Sequence, residues 1–256
     1  MTPSEQYQEG RRNKRHRFLI RLFIFLAIIF LFPIIWLSYM TADYYFKIQS
    51  GELEDFDVLK DRRSISRIAA NTHVTQEDLD RLKPSGLVAS LGNEDARLTV
   101  VEFVDYQCPY CKQVSSVIRK AMETYGDQVY FVIRDFPITE LHAESRDTAH
   151  AANCALEQGE KAYWRYQEIL FANQEAVTAE DLRTYAGYAN INVARFDECM
   201  NERRYDTRID QDIEIGRSAG VEGTPTFFVN GVMYSGALTD RMFKEILDYF
   251  LAELPK

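Results

Sequence analysis

The 256-residue sequence predicts an α/β domain whose one sheet is built from two separated parts of the chain. An all-helical insertion lies between those parts, and one membrane-spanning helix precedes them. Three observations carry this. Leu98 to Tyr106 and Gln128 to Asp135 read as buried strands on either side of a helical stretch, a β-α-β order. Residues 139–219 carry helix caps and helical spacing throughout. Thr226 to Val229, Asn230-Gly231 and Val232 to Ser235 then read as a hairpin with a type I′ turn, followed by an amphipathic helix.

Residues 1–21 carry six Lys/Arg against two Glu, a charge of +4, which leaves −13 for the rest of a chain of net charge −9. So acidic a body argues against a nucleic-acid partner. Leu22 to Ala42 is a run of 21 residues without a charge. As a helix such a run is about 32 Å long, enough for a hydrocarbon core of about 30 Å. Trp36, Tyr39, Tyr44 and Tyr45 cluster at its far end, as residues of a membrane interface do. The basic cluster precedes the span, while Glu52, Glu54, Asp55 and Asp57 follow it. The positive-inside rule then puts the N-terminus in the cytoplasm and the body outside, as a single-pass protein of the cytoplasmic (inner) membrane with a periplasmic domain. An uncleaved anchor is favoured over a signal peptide, because the run is long and only Ala42 offers a weak small-residue site. Residues 43–85 read as a polar tether with a short helix, capped by Thr75 with Asp78, running through Leu82 and stopped by Pro84.

Residues 86–256 form the main domain. Gly86 to Leu91 is its expected first strand, with Gly92-Asn93-Glu94-Asp95 as the turn. Between the two buried strands, Val114, Val117, Ile118, Ala121, Met122 and Tyr125 recur at helical spacing. In the insertion, Thr139 is expected to cap a helix ending at Gly159, and a second helix runs through Tyr163, Trp164, Ile169 and Leu170. Thr178 with Asp181 opens a third, Asn192 caps a fourth through Phe196 and Met200, and a fifth with Ile209 and Ile213 ends at Gly220. Thr239 caps the final helix, whose stripe is Met242, Phe243, Ile246, Leu247, Phe250 and Leu251.

The chemistry centres on Cys108-Pro109-Tyr110-Cys111, where a buried strand turns into a helix. Two cysteines at this spacing in a first helical turn put both sulfurs on one face. The first lies where unpaired N–H groups and the helix dipole favour a thiolate, and Pro109 opens a helix without an N–H to leave unpaired. A low-pKa nucleophile beside a resolving thiol is the chemistry of thiol–disulfide exchange. A zinc site would need two more ligands, yet Cys154 and Cys199 are isolated and the four histidines form no HxxxH pair, so no metal is expected. Glu102 stands between Val101 and Phe103 in a buried strand, where a carboxylate must be protonated, paired or solvated; a carboxylate reaching the strand edge is the alternative. Lys112 reads as a solvated helix residue, and His142 and His150 as packing or solvated groups near the cleft.

The element order, the Glu102-x5-Cys108 spacing, the run ANCALEQG at 152–159 and VEGTPTFFVNG at 221–231 resemble the DsbA-like family of extracytoplasmic thiol–disulfide oxidoreductases. The resemblance covers about residues 86–254 and implies a thioredoxin-like fold carrying a helical insertion. It implies that Thr224–Pro225 is a cis peptide beside the disulfide, with the Thr224 backbone pairing an extended substrate; a strand-start proline is the other reading. It also implies that Glu102 moves the proton of Cys111, and that Tyr110 and Thr224 tune the potential. Cys154 and Cys199, on different helices, are expected to form a second disulfide, two buried free thiols being the alternative. No cofactor is implied, because the electrons reside on the sulfurs. The implied partners are exported cysteine-containing clients and a membrane redox-recycling protein, with the enzyme working as oxidase or, in reverse, as reductase or isomerase. A tethered peptide-binding module is the reading from a different class.

Overall fold

The computed structural model describes residues 31–32, 36–43, 81–82 and 86–254. The chain divides into two units, residues 1–57 and 58–256. In the first, residues 36–43 are helical and leave Trp36, Leu37, Tyr39 and Met40 exposed. Most of the expected span from Leu22 to Ala42 lies outside the described residues, as do Thr75 and Asp78 of the expected short helix. Among the described residues, no helix is long and apolar enough to cross a membrane.

The second unit holds a five-stranded sheet in the order β1-β3-β2-β4-β5. Its strands are β1 (Ala89–Gly92), β2 (Leu98–Val104), β3 (Val129–Asp135), β4 (Thr226–Val229) and β5 (Val232–Ser235). β2 and β3 run parallel, with helix α1 (Pro109–Tyr125) as the connection between them, and the other pairs are antiparallel. The two halves read from the sequence therefore meet at β2, which pairs with β3 on one side and β4 on the other. The hairpin turn has Asn230 at φ 45° and Gly231 at φ 84°, both positive as a type I′ turn requires. Asn230 also accepts the Thr99 N–H through Oδ1 and donates its own N–H to the Thr99 carbonyl, both at 3.0 Å, which fixes the hairpin end to β2.

Side chains alternate along a strand, so β2 sends Leu98, Val100, Glu102 and Val104 to one face and Val101 and Phe103 to the other. The first face meets α1 through Val114, Ile118 and Ala121, and α7 (Asp240–Glu253) through Phe243, Ile246 and Leu247. The second face packs Val101, Phe103, Val132 and Phe228 against Phe136, Val221 and Leu82. Phe103 meets Phe136 and Phe228 edge-on at 6.0 and 5.8 Å. Burying each such ring contributes about 2–3 kcal/mol. The strand end of the β2–α1 unit, where the cysteines sit, is thus held by core on both faces.

The insertion is α2 (Ser145–Leu156), α3 (Glu160–Ala172), α4 (Ala179–Tyr188), α5 (Val193–Asn201) and α6 (Asp206–Ser218). Thr178 and Asp181 form the expected capping box, Asn192 accepts the Arg195 N–H at 3.1 Å, and Thr239 accepts the Met242 N–H at 3.3 Å. Cys154 and Cys199 are bonded, joining α2 to α5. One expectation needs correction. Thr139 caps no helix: α2 begins at Ser145, because Ile138 N–H and His142 Nδ1 both reach Asp105 Oδ2 at 2.9 Å and hold residues 138–142 as a turn. Leu82, to which the expected short helix runs, docks on the sheet. It is buried on the second sheet face, and the Arg134 guanidinium donates to the carbonyls of Arg81 and Leu82 at 3.0 and 3.3 Å.

Candidate active site

Cys108 is the residue before α1, with extended backbone (φ −71°, ψ 122°), and Pro109 opens the helix. Its N–H donates to the Asp105 carbonyl at 3.1 Å, and its carbonyl accepts the first helical bond from Lys112 N–H at 3.2 Å. Both Cys108 and Cys111 are buried free thiols. Cys111 faces the core with Val114 and Ile118, whereas Tyr110 points outward and is 60% exposed. Lys112 is exposed, as its reading required.

The 224–225 loop closes the site from the other side. The Thr224–Pro225 peptide bond is cis, and the Cys108 thiol donates to the Thr224 carbonyl at 3.3 Å. Thr224 Oγ1 is buried without a partner while Cys108 is a thiol. Once the sulfur is ionised, that hydroxyl has an acceptor in front of it, and it helps to lower the Cys108 pKa. The largest cause is the hydrogen bond from the Cys111 side chain. Together with the N–H groups of Cys111 and Tyr110, and against the opposing effect of burial, it brings Cys108 down to about 5. Burial pushes the Cys111 thiol well up, aided by its bond to Cys108 and the charge of Glu102. The two sulfurs are driven apart by their surroundings.

Glu102 lies under this pair. Register places it opposite Ile133 and Phe227, and its parity with Val100 and Val104 turns it toward the α1 face. It is 2% exposed, and burial, then the Cys108 charge, raises it to about 8. The strand-edge alternative is excluded, since β2 is central in the sheet.

Sequence reading missed the groups that hold the Cys108 turn. Asp105 is wholly buried and accepts the Gln107 N–H at 2.9 Å through Oδ1, a local Asx turn that Asp at this spacing can signal. Its other oxygen takes the Ile138 N–H and faces His142, so His142 belongs to the site. On the insertion side, Gln174 Nε2 donates to the carbonyls of Tyr106 and Cys108, both at 2.8 Å. His150 is turned away, bonding Asp206 and the Cys199 carbonyl. It brings a ligand-type atom within 4.8 Å of Cys154 and Cys199, but those sulfurs are joined to each other.

A family profile described as Thioredoxin matches residues 85–249. The chain belongs to the thioredoxin family. Its structural neighbours include the thiol–disulfide exchange protein alpha-DsbA2 of Wolbachia pipientis, with a TM-score of 0.63 and 19% identity over 72% of this chain and 98% of that one. The catalytic domain of Proteus mirabilis ScsC follows at 0.60, with 22% identity over 69% and 96%. A thioredoxin-like oxidoreductase from Silicibacter pomeroyi gives 0.61, with 24% identity over 71% and 100%. These likenesses establish a thioredoxin fold of the DsbA and ScsC type. Among curated relatives, a Na(+)/H(+) antiporter of Salinispora tropica is 39% identical over 145 residues, 57% of this chain but 22% of the antiporter. One of Salinispora arenicola is 36% identical over 146 residues, again 57% and 22%. The chain thus spans about a fifth of the length of the curated relatives it matches.

Proposed function

We propose that this thioredoxin-family protein is a membrane-tethered thiol–disulfide oxidoreductase that forms or exchanges disulfides in exported, cysteine-containing proteins. The observation that carries the reading is the placement of the two free cysteines: Cys108 precedes the helix beside the Thr224 carbonyl, while Cys111 is buried in its first turn, which brings Cys108 down to about 5 and raises Cys111. In the oxidising direction, a client thiolate attacks Cys108 Sγ of the enzyme disulfide. Cys111 leaves as a thiolate and takes a proton from the buried Glu102 carboxyl. A second client thiolate attacks the mixed disulfide and expels the Cys108 thiolate, so the client loses two electrons and the enzyme dithiol holds them. The depressed Cys108 favours that last departure and the reduced enzyme, which makes the disulfide oxidising. Exposed Tyr110 and the Thr224 backbone beside Cys108 are the client contacts.

The 21-residue uncharged run behind a basic N-terminus supports a tether in the cytoplasmic membrane with the catalytic domain outside. The bonded Cys154–Cys199 pair agrees with an oxidising compartment. Several relatives carry the matched stretch within a membrane antiporter, which also favours work at a membrane. Turnover as an oxidase needs a membrane redox protein to reoxidise the dithiol. The reduction potential of the purified protein tests the direction: a value well above about −270 mV, the thioredoxin level, supports the oxidase, and one at or below it assigns a reductase. Oxidation of a reduced client peptide that persists in Cys108→Ser would refute the reading altogether.

A further inference from the structure

We propose that Gln174, in the turn between α3 and α4, is a positioning residue for the Cys108 nucleophile. The inference rests on the thiol–disulfide reading above and assigns a chemical task to the insertion. Gln174 is 8% exposed and its Nε2 lies 2.8 Å from each of two backbone carbonyls, those of Tyr106 and Cys108. Two acceptors require the nitrogen, not the oxygen, to face them, and an amide NH₂ has two hydrogens to give. The carbonyls lie two residues apart in the turn that leads into α1, so one side chain bridges the backbone on both sides of Gln107. Asp105 holds the same turn independently, through the Gln107 N–H and its own contacts with Ile138 and His142. These two clamps fix the backbone of Cys108.

That fixation matters because the groups favouring the thiolate come from outside the turn. The Cys111 thiol and N–H and the Tyr110 N–H belong to α1, and the Thr224 hydroxyl belongs to a different loop. Hydrogen bonds weaken steeply with misalignment, so a sulfur free to wander by a fraction of an ångström loses several donors at once. Gln174 touches neither sulfur and acts only through the backbone that carries Cys108. Without it, the buried Tyr106 carbonyl lacks that donor and the turn is released on the insertion side.

The test uses the full-length protein in its reduced form, with Gln174→Glu, which keeps the shape but loses both donors once ionised, and Gln174→Ala. The thiolate absorbance of Cys108, followed against pH, should show a midpoint about one pH unit or more above wild type in each variant. A tenfold change of this kind corresponds to about 30 mV, so the reduction potential should fall by that amount. A residue that merely supported the fold would lower the melting temperature and leave both readouts in place. An unchanged midpoint in variants with native circular dichroism overturns the proposal. Should neither variant fold, the wild-type protein decides: the ¹⁵N-labelled Gln174 side-chain amide should shift along the Cys108 titration, and resonances that stay put refute it. Both readouts are equilibrium titrations. Loss of client exchange in wild type would therefore sink the functional reading while leaving this one intact, and the reverse holds equally.

Discussion

Replacing Glu102 with Gln should flatten the pH dependence of stability in the oxidised protein. Glu102 is buried in the central strand and its folded pKa is raised to about 8, above the ordinary carboxylate value of 4.5. A group raised on folding holds its proton in the native state after the unfolded chain has lost it. Its contribution is therefore complete at low pH and is lost as pH rises from about 4.5 through 8. Between pH 5 and 8 that loss amounts to roughly 3 kcal/mol, allowing for a somewhat smaller shift when oxidation removes the Cys108 charge, the lesser of its two causes. Guanidinium unfolding of the oxidised protein at pH 5, 6.5 and 8 measures it. Wild type should lose about 3 kcal/mol more than Glu102→Gln across that range, the isosteric amide having no proton to release. Parallel curves for the two proteins would refute the argument that burial governs this carboxyl.

The reduced protein should show the opposite trend at Cys108. A thiol depressed to about 5 is ionised at neutral pH, so alkylation of Cys108 should follow a midpoint near 5, and Cys111 should remain slow throughout. A folded pKa below the unfolded value contributes stability that is present at high pH and lost as pH falls through about 5. At pH 7 this amounts to about 2 kcal/mol after discounting for partial solvent screening, and it should separate the reduced from the oxidised melting curve. Replacing both Cys154 and Cys199 with Ala removes a cross-link closing 45 residues and should cost about 2–4 kcal/mol in urea unfolding without changing the Cys108 midpoint. Gly216→Ala should cost about 1–3 kcal/mol, because its Cβ would stand 2.8 Å from the Phe136 ring and 2.9 Å from Phe103, both held in the core.

The strands around the CxxC, the hairpin and three of the helix caps were legible because each depends on residues close together in sequence. Buried strands reveal themselves as unbroken apolar runs, and Asn230-Gly231 supplies the positive φ angles that few other pairs tolerate. The Cys108–Cys111 pair was legible for the same reason: its chemistry follows from a helix N-terminus and a spacing of three. Thr139 misled because an apparent cap competes with any stronger use of the same backbone, here the buried Asp105 carboxylate that draws Ile138 and His142 down. Gln174 left no local signal. Its partners are backbone carbonyls 66 and 68 residues earlier, and backbone atoms leave no trace in residue identity. Leu82 was hidden in a polar context, since one apolar residue has no periodicity and only the second sheet face shows where it docks.

Trapping of client mixed disulfides by single-cysteine variants tests the assignment of roles most directly. Cys108→Ser and Cys111→Ser are expressed in the native compartment, quenched with acid, alkylated and resolved without reductant. Cys111→Ser should accumulate adducts that join Cys108 to client proteins, because the remaining sulfur is the ionised nucleophile and nothing resolves its bond. Cys108→Ser, left with a buried thiol pushed to high pKa, should accumulate few. Equal trapping by the two variants, or adducts formed chiefly through Cys111, would contradict the account.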